Sequence, residues 1–189
     1  MTTRRLARAS IFTLVLALSA CAAQAPVDTA TAPPALGLTD PGTAISYTSW
    51  AFALPSRTHA HPAVTARAVA GLDYVAGPLN TDPQWEYGSP IISEEMLRAR
   101  EHTRQLLGIA PTATSQQVVD ALTTVYLALR NGDQTRVMQA LSSPIFTLGP
   151  QRTLAVLNDL PYVRMVNVAT IQALAALNHN DCTLGCYLH

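Results

Sequence analysis

The sequence has no lysine, no run of basic residues and few aromatic residues, which make up only 6% of its 189 positions. Proteins that bind nucleic acid concentrate positive charge on one surface, where it contacts the phosphates. Here twelve arginines are balanced by twelve acidic residues, and no aromatic residues are interleaved with a basic patch. We therefore expect no nucleic-acid partner.

The sequence also lacks the short motifs of common enzyme classes. It contains no G-x-S-x-G elbow, no H-E-x-x-H, no P-loop and no dinucleotide-binding glycine run. The densest group of charges consists of Glu94, Glu95, Arg98, Glu101 and Arg104. Their spacing predicts a solvent-exposed helix face with weak local ion pairs. We therefore expect a protein that is not an enzyme and has no cofactor.

The first twenty residues have the pattern of a secretory signal. Residues 1–10 carry three arginines, and residues 11–20 are apolar except for Thr13 and Ser19. Ten helical residues rise about 15 Å, which is half of a bilayer core of roughly 30 Å. A charged start followed by a short apolar run and small residues predicts a signal peptide over residues 1–20.

The end of this signal is Leu18-Ser19-Ala20-Cys21, which resembles the lipobox of bacterial lipoproteins. The resemblance covers only residues 1–21. It implies cleavage before Cys21, diacylglycerol on the cysteine sulfur and acylation, such as by palmitate, of the new amino terminus. Several acyl chains together anchor a protein stably, whereas one anchors it marginally. The alternative is an ordinary signal peptide with an unrelated cysteine at this position.

The residue after Cys21 bears on localisation. In enteric bacteria, aspartate at this position tends to retain lipoproteins at the inner membrane. Ala22 is instead similar to the pattern of outer-membrane lipoproteins. We therefore expect a protein of the cell envelope, anchored to the outer membrane and facing the periplasm. Its mature chain keeps nine arginines against twelve acidic residues, a net charge of −3.

The next segment, residues 22–42, is rich in alanine, threonine, proline and glycine and has no apolar periodicity. Such a composition buries too little surface to offset the entropy lost on ordering, and proline-rich chains extend by about 3 Å per residue. The composition predicts a disordered tether. The predicted domains are therefore the signal peptide over 1–20, the lipid anchor and flexible linker over 21–44, and a folded domain over 45–189.

Apolar residues at helical spacing predict an all-α domain of about six short helices. Capping residues, prolines and glycines mark the ends of these helices. The start and the end of the six predicted helices are marked, in chain order, by Pro62 and Gly77, Ser93 and Gly108, Thr114 and Asn131, Asp133 and Pro144, Gly149 and Pro161, and Arg164 and Leu177.

Residues 45–54 do not have a helical pattern. Trp50, Phe52 and Leu54 alternate with alanines, which allows a short strand. An extended segment lying across the helices fits the pattern equally well. Under either interpretation we expect a hydrophobic plug packed on the core rather than an aromatic wall that binds a ligand.

The C-terminal end holds the strongest candidate for special chemistry. Because lipid occupies Cys21, the remaining pair is Cys182 and Cys186, which we expect to form a disulfide in an oxidising compartment. The alternative is a zinc or copper site built from His179, Cys182, Cys186 and His189. Their spacing matches no common zinc-finger pattern, so the disulfide is preferred.

A second pair of possible ligands, His59 and His61, precedes the first predicted helix and is interpreted as part of a solvated loop. The function expected from the sequence is that of an envelope lipoprotein with a structural or protein-binding role. The alternative is a periplasmic module that binds a metal or small ligand through the C-terminal His/Cys cluster.

Overall fold

The computed structural model describes residues 27–81 and 90–185, with side chains in the second range described as far as His179. Within these residues the chain is all-α, as predicted, and has no β-strand. Its helices are α1 (Pro41–Ala53), α2 (Pro62–Ala76), α3 (Pro78–Thr81), α4 (Pro90–Leu106), α5 (Ser115–Arg130), α6 (Gln134–Leu141), α7 (Pro150–Asn158) and α8 (Arg164–Gly185). The six predicted helices correspond to α2 and to α4 through α8.

Several predicted helix ends are confirmed because the interactions that form them are local. The Thr114 hydroxyl accepts a hydrogen bond from the Gln117 N–H at 3.3 Å, and the Gln117 side chain accepts one from the Thr114 N–H at 2.9 Å. This reciprocal pair is the predicted capping box of α5. Asp133 caps α6 by accepting from the Arg136 N–H at 2.9 Å.

The predicted cap at Ser93 is wrong. Helix α4 begins three residues earlier, at Pro90. The Ser93 hydroxyl donates instead to the carbonyl of Leu79 at 2.8 Å, and the Asn80 amide donates to the Ser93 carbonyl. Ser93 therefore links α4 to α3 by hydrogen bonds and does not cap the start of α4.

The extended conformation predicted for residues 45–54 is also wrong, because residues 45–53 belong to α1 and Leu54 directly follows it. Asp40 precedes this helix and accepts hydrogen bonds from the N–H and the hydroxyl of Thr43, at 2.8 and 2.6 Å. Ile45, Thr48 and Phe52 are buried at helical spacing. Trp50 is 46% exposed rather than plugged into the core.

The predicted linker is ordered over the part that the structure describes. Residues 27–40, which we call the N-terminal arm, lie across α2 and α5, and residues 41–44 start α1. Leu36 and Leu38 of the arm are fully buried. The boundary predicted at residue 44 is therefore too late, since the folded unit includes residue 27. Residues 21–26 lie outside the described part.

Helix α2 lies at the centre and contacts α1, α4, α5 and α7, while α8 packs on α1 and α4. At one end of the bundle, Gly77 lies against Asp28 of the arm, which also contacts Ser115 at the start of α5. Gly42 lies against Leu177 near the C-terminal part of α8. No helix among the described residues is both long and apolar enough to cross a bilayer.

Candidate functional site

The site residues predicted at the two ends of the chain lie outside the described residues. These are Cys21, the side chains of Cys182 and Cys186, and His189. The backbone of Cys182 belongs to α8, which continues past its predicted end at Leu177, and His179 is exposed on the same helix. The lipid on Cys21, the disulfide and the alternative metal site therefore stay predictions.

The predicted loop position of the His59 and His61 pair fits the structure, since both residues lie between α1 and α2 and His59 is exposed. The Nδ1 atom of His59 lies 2.8 Å from a carboxylate oxygen of Asp159. Ala60 between the histidines has a positive φ of 59°, and its N–H donates to the Asn158 carbonyl. Among the described side chains, no three His, Cys, Asp or Glu residues are grouped to hold a metal ion.

A buried ion pair joins α2 to α4. The Asp73 carboxylate, only 1% exposed, accepts hydrogen bonds from the Nε and Nη2 atoms of Arg104, which is itself 7% exposed. Arg104 also donates to the Ala113 carbonyl and to the Ser115 hydroxyl, both at 3.0 Å. Burial raises the pKa of Asp73, and the bonds from Arg104 oppose that rise. The guanidinium therefore connects α2, α4 and the start of α5.

The same network reaches the N-terminal arm. A carboxylate oxygen of Asp28 accepts from the Ser115 N–H. Arg100 donates to the backbone carbonyl of Asp28 at 3.1 Å and to the Ser115 hydroxyl at 3.0 Å. The negative charge of Asp28 lies beside the first residue of α5, where the positive end of the helix dipole also stabilises it. The arm is thus held by charged groups that the bundle already keeps in place.

These contacts correct the prediction of a solvated charged face. Arg104 was expected to be exposed and paired on its own helix, but it is buried against Asp73. The expected local pair of Glu94 and Arg98 is present at 3.8 Å, with both side chains exposed. Asp73 is not among the predicted site residues, although its sequence context carries one signal. It is an isolated acid among apolar residues of α2, and such an acid requires a buried cationic partner.

Farther along the arm, Arg67 of α2 forms a second attachment. Its guanidinium donates to the carbonyls of Leu36 and Gly37, at 2.8 and 3.0 Å. The same group lies 4.1 Å from the ring centroid of Tyr47 and 5.8 Å from that of Tyr126. Stacking on aromatic rings adds cation–π attraction to these hydrogen bonds. The arm is therefore attached to the bundle at two separate places.

An apolar cleft lies where the ends of α1 and α4 meet the segment before α8. Its walls are the end of α1 with Leu54 and Pro55, residues Thr103 and Leu106 of α4, and residues 160–163 before α8. Its volume is only about 20 Å³, enough for about one water molecule. Leu54 and Tyr162 on its rim are each 51% exposed. The shape suits one inserted apolar side chain rather than a whole small molecule.

Two arginines flank the residues that line this cleft. Arg57 lies over the ring of Trp50 at 5.1 Å and donates to the Trp50 carbonyl. Arg164 is the first residue of α8. The positive end of the helix dipole lies there and disfavours a cationic side chain. Among the described residues, no carboxylate lies within 4.0 Å of either guanidinium, and the nearby Asp159 is paired with His59. Two arginines without an acidic partner among the described side chains are thus next in sequence to Thr58 and Val163, which line the cleft.

No protein-family model, curated protein or solved structure matches this chain.

Proposed function

We propose that this protein is a lipid-anchored lipoprotein of the bacterial envelope, without catalytic activity, whose helical bundle binds a partner protein. The lipid anchor is supported by the sequence of residues 1–21. Protein binding is supported chiefly by the apolar cleft, whose rim exposes Leu54 and Tyr162. Exposed aromatic and aliphatic side chains around a small depression are typical of protein contact sites.

The positive charge beside the residues of the cleft favours a particular partner. Arg57 and Arg164 carry positive charge that no described acid neutralises. An acidic segment would complement this charge and be steered towards it. The occupant that we propose is therefore an acidic segment of an envelope protein, which places one apolar side chain in the cleft.

The anchor is tested by mass spectrometry of the protein purified from bacterial membranes. We expect a chain that starts at Cys21 and carries diacylglycerol and an amide-linked acyl chain. A Cys21→Ser variant should lose this mass and leave the membrane fraction. An unacylated chain that starts at another residue would contradict the proposal.

The partner is tested by photocrosslinking in intact cells. A photoreactive amino acid replaces Leu54 on the cleft rim, and a matched control replaces Leu127, which is exposed on α5 away from the cleft. We expect the Leu54 probe alone to crosslink to an acidic segment with an apolar residue, and Tyr162→Ala to reduce the yield several-fold. The same products from both positions, or a segment without acidic residues, would refute this contact.

A further inference from the structure

Aromatic rings and guanidinium groups form one contiguous cluster that joins α1, α2 and α5. We call it the aromatic–arginine cluster. In order of contact, its members are Arg57, Trp50, Tyr47, Arg67, Tyr126 and Arg130. Neighbouring members are 4.1 to 5.9 Å apart, measured between ring centroids or from a guanidinium carbon to a ring centroid. Trp50 is 46% exposed and Arg130 is also exposed, whereas Tyr126 is only 8% exposed. The cluster is therefore partly buried but reaches the surface.

The guanidinium groups of the cluster are held in place and still have N–H groups to donate. Arg57 donates to the carbonyl of Trp50. Arg130 donates to the hydroxyl of Tyr126 at 3.2 Å, and Arg67 donates to two backbone carbonyls of the arm. Among the described residues, no carboxylate lies within 4.0 Å of these three guanidinium groups. Stacking covers the face of a guanidinium, whereas its N–H donors lie at the edge. A ligand that binds these edges meets groups whose ordering has already been offset by the fold.

The same stacking determines which ligand the cluster suits. Nucleic-acid bases stack on open aromatic faces, but Arg67 lies over the Tyr47 ring and Arg57 lies over the Trp50 ring. The cluster therefore presents guanidinium edges rather than free ring faces, and such edges pair with carboxylates in a planar, bidentate geometry. Arginine, tryptophan and tyrosine are also the residue types that dominate binding energy in protein interfaces. These features favour a protein segment with several acidic residues.

The cluster is close to the cleft along α1. Leu54, which lines the cleft, follows Trp50 by four residues, and four helical residues rise about 6 Å. Two residues of an extended peptide cover about the same distance, so one segment can contact both places. We propose that the aromatic–arginine cluster is the docking surface for the carboxylates of the partner segment whose apolar residue enters the cleft. This inference rests on the proposed binding of a partner protein and assigns the surface that recognises its acidic residues.

The test is photocrosslinking in intact cells from the cluster itself. A benzophenone-bearing amino acid replaces Trp50, one aromatic residue for another. A matched control replaces Ile91, which is 67% exposed near the start of α4. We expect the Trp50 probe to capture an acidic protein segment and the Ile91 probe not to capture it. The proposal is overturned if the Trp50 probe captures nothing that the Ile91 probe lacks, or captures nucleic acid, glycan or lipid instead of protein.

Charge reversal is the second measurement. Arg57→Glu and Arg130→Glu alter the cluster but spare Arg67, which also holds the arm. Arg136→Glu is the matched control, since Arg136 is exposed on α6 and lines a different depression. At equal protein level and equal helical circular dichroism, the yield from the Trp50 probe should fall several-fold in the first two variants and stay unchanged in the control. Equal yields in all three variants would overturn the proposal.

Comparison of the Trp50 and Leu54 probes separates this inference from the proposed cleft contact. Capture of a segment by the Leu54 probe alone would leave the cleft contact standing and refute docking on the cluster. Capture of an acidic segment by the Trp50 probe alone would support docking on the cluster and refute insertion into the cleft. Capture by neither probe would overturn both.

Discussion

At the scale of single residues, the interactions that matter most are polar and buried. Asp73 and Arg104 lie 31 positions apart, and each would be costly to bury without the other. Local sequence around Arg104 predicts an exposed helix face, because neighbouring charges at helical spacing usually lie in solvent. Its burial depends on where α2 and α5 pack against α4, and no local pattern contains that information.

We expect the loss of either partner of this pair to destabilise the protein strongly. Asp73→Leu or Arg104→Met alone should lower the free energy of unfolding by about 3–5 kcal/mol, because each leaves a buried charge unpaired. The double variant should cost much less than the sum of the two. Urea unfolding of the four proteins gives the coupling energy, and additive losses would contradict this account.

The Asp40 cap predicts a pH dependence. Hydrogen bonds from the Thr43 hydroxyl and N–H hold the pKa of Asp40 below its usual value of 3.8. The unfolded chain then binds the proton first, so the stabilisation is present above pH 3.8 and is lost as the pH falls through the lower folded value. Asn caps helices without titrating.

The measurement compares the original chain with Asp40→Asn by thermal unfolding between neutral and acidic pH. We expect the stability advantage of the original chain to shrink as the pH falls below 3.8. Asp40→Ala, which removes the cap at every pH, should cost about 1 kcal/mol near neutrality. A constant difference between the Asp and Asn proteins across this range would exclude the role of Asp40.

At the scale of elements, α1 shows why a pattern of alternating residues misleads. Alternating alanines suggest a strand, but alanine also has the highest helix propensity. Asp40 and Pro41 form a cap and a first helical residue, and these local signals point to a helix. They lie within the segment that composition assigned to the linker. The strand and linker predictions therefore failed together.

The contact of α1, α2 and the arm depends on Gly71 in the middle of α2. A Cβ at this position would lie 2.9 Å from the Cδ1 atom of Leu38 and 3.0 Å from the Cγ2 atom of Thr48. In an isolated helix, Gly→Ala stabilises by about 1 kcal/mol. Here we expect Gly71→Ala to destabilise the protein by about 1–3 kcal/mol because the site is overpacked.

Chemical denaturation measures this effect. The cost of Gly71→Ala should be smaller in a Leu38→Ala background, because the shortened side chain leaves room for the new methyl group. If Gly71→Ala raised the stability of the original chain, the close approach of the arm at this position would be disproved.

At the scale of the whole molecule, the folded unit begins earlier in the sequence than its composition indicates. The residues of the arm are individually weak structure formers, yet Leu36 and Leu38 are buried and Arg67 binds their neighbouring carbonyls. A tether of this composition stays disordered only when no complementary surface is nearby. The surface in this protein is formed by α2 and α5.

The C-terminal cysteines give a prediction about the complete chain. We expect the Cys21→Ser protein, isolated from a periplasm without reductant, to be two hydrogens lighter than its dithiol form because Cys182 and Cys186 are oxidised. Native mass spectrometry measures this mass, and Cys186→Ser is the control. A dithiol chain that retains zinc or copper would instead favour the metal site with His179 and His189.

The sequence by itself determined the all-α class, six of the helices and most of their ends, because caps, glycines and prolines act within about four residues. Only the tertiary structure decided that the arm is part of the fold, that Arg104 is buried with Asp73, and that Leu54 and Tyr162 border one cleft. Each of these depends on helices that are distant in sequence meeting in space. Burial, rather than residue type alone, then determines what each side chain does.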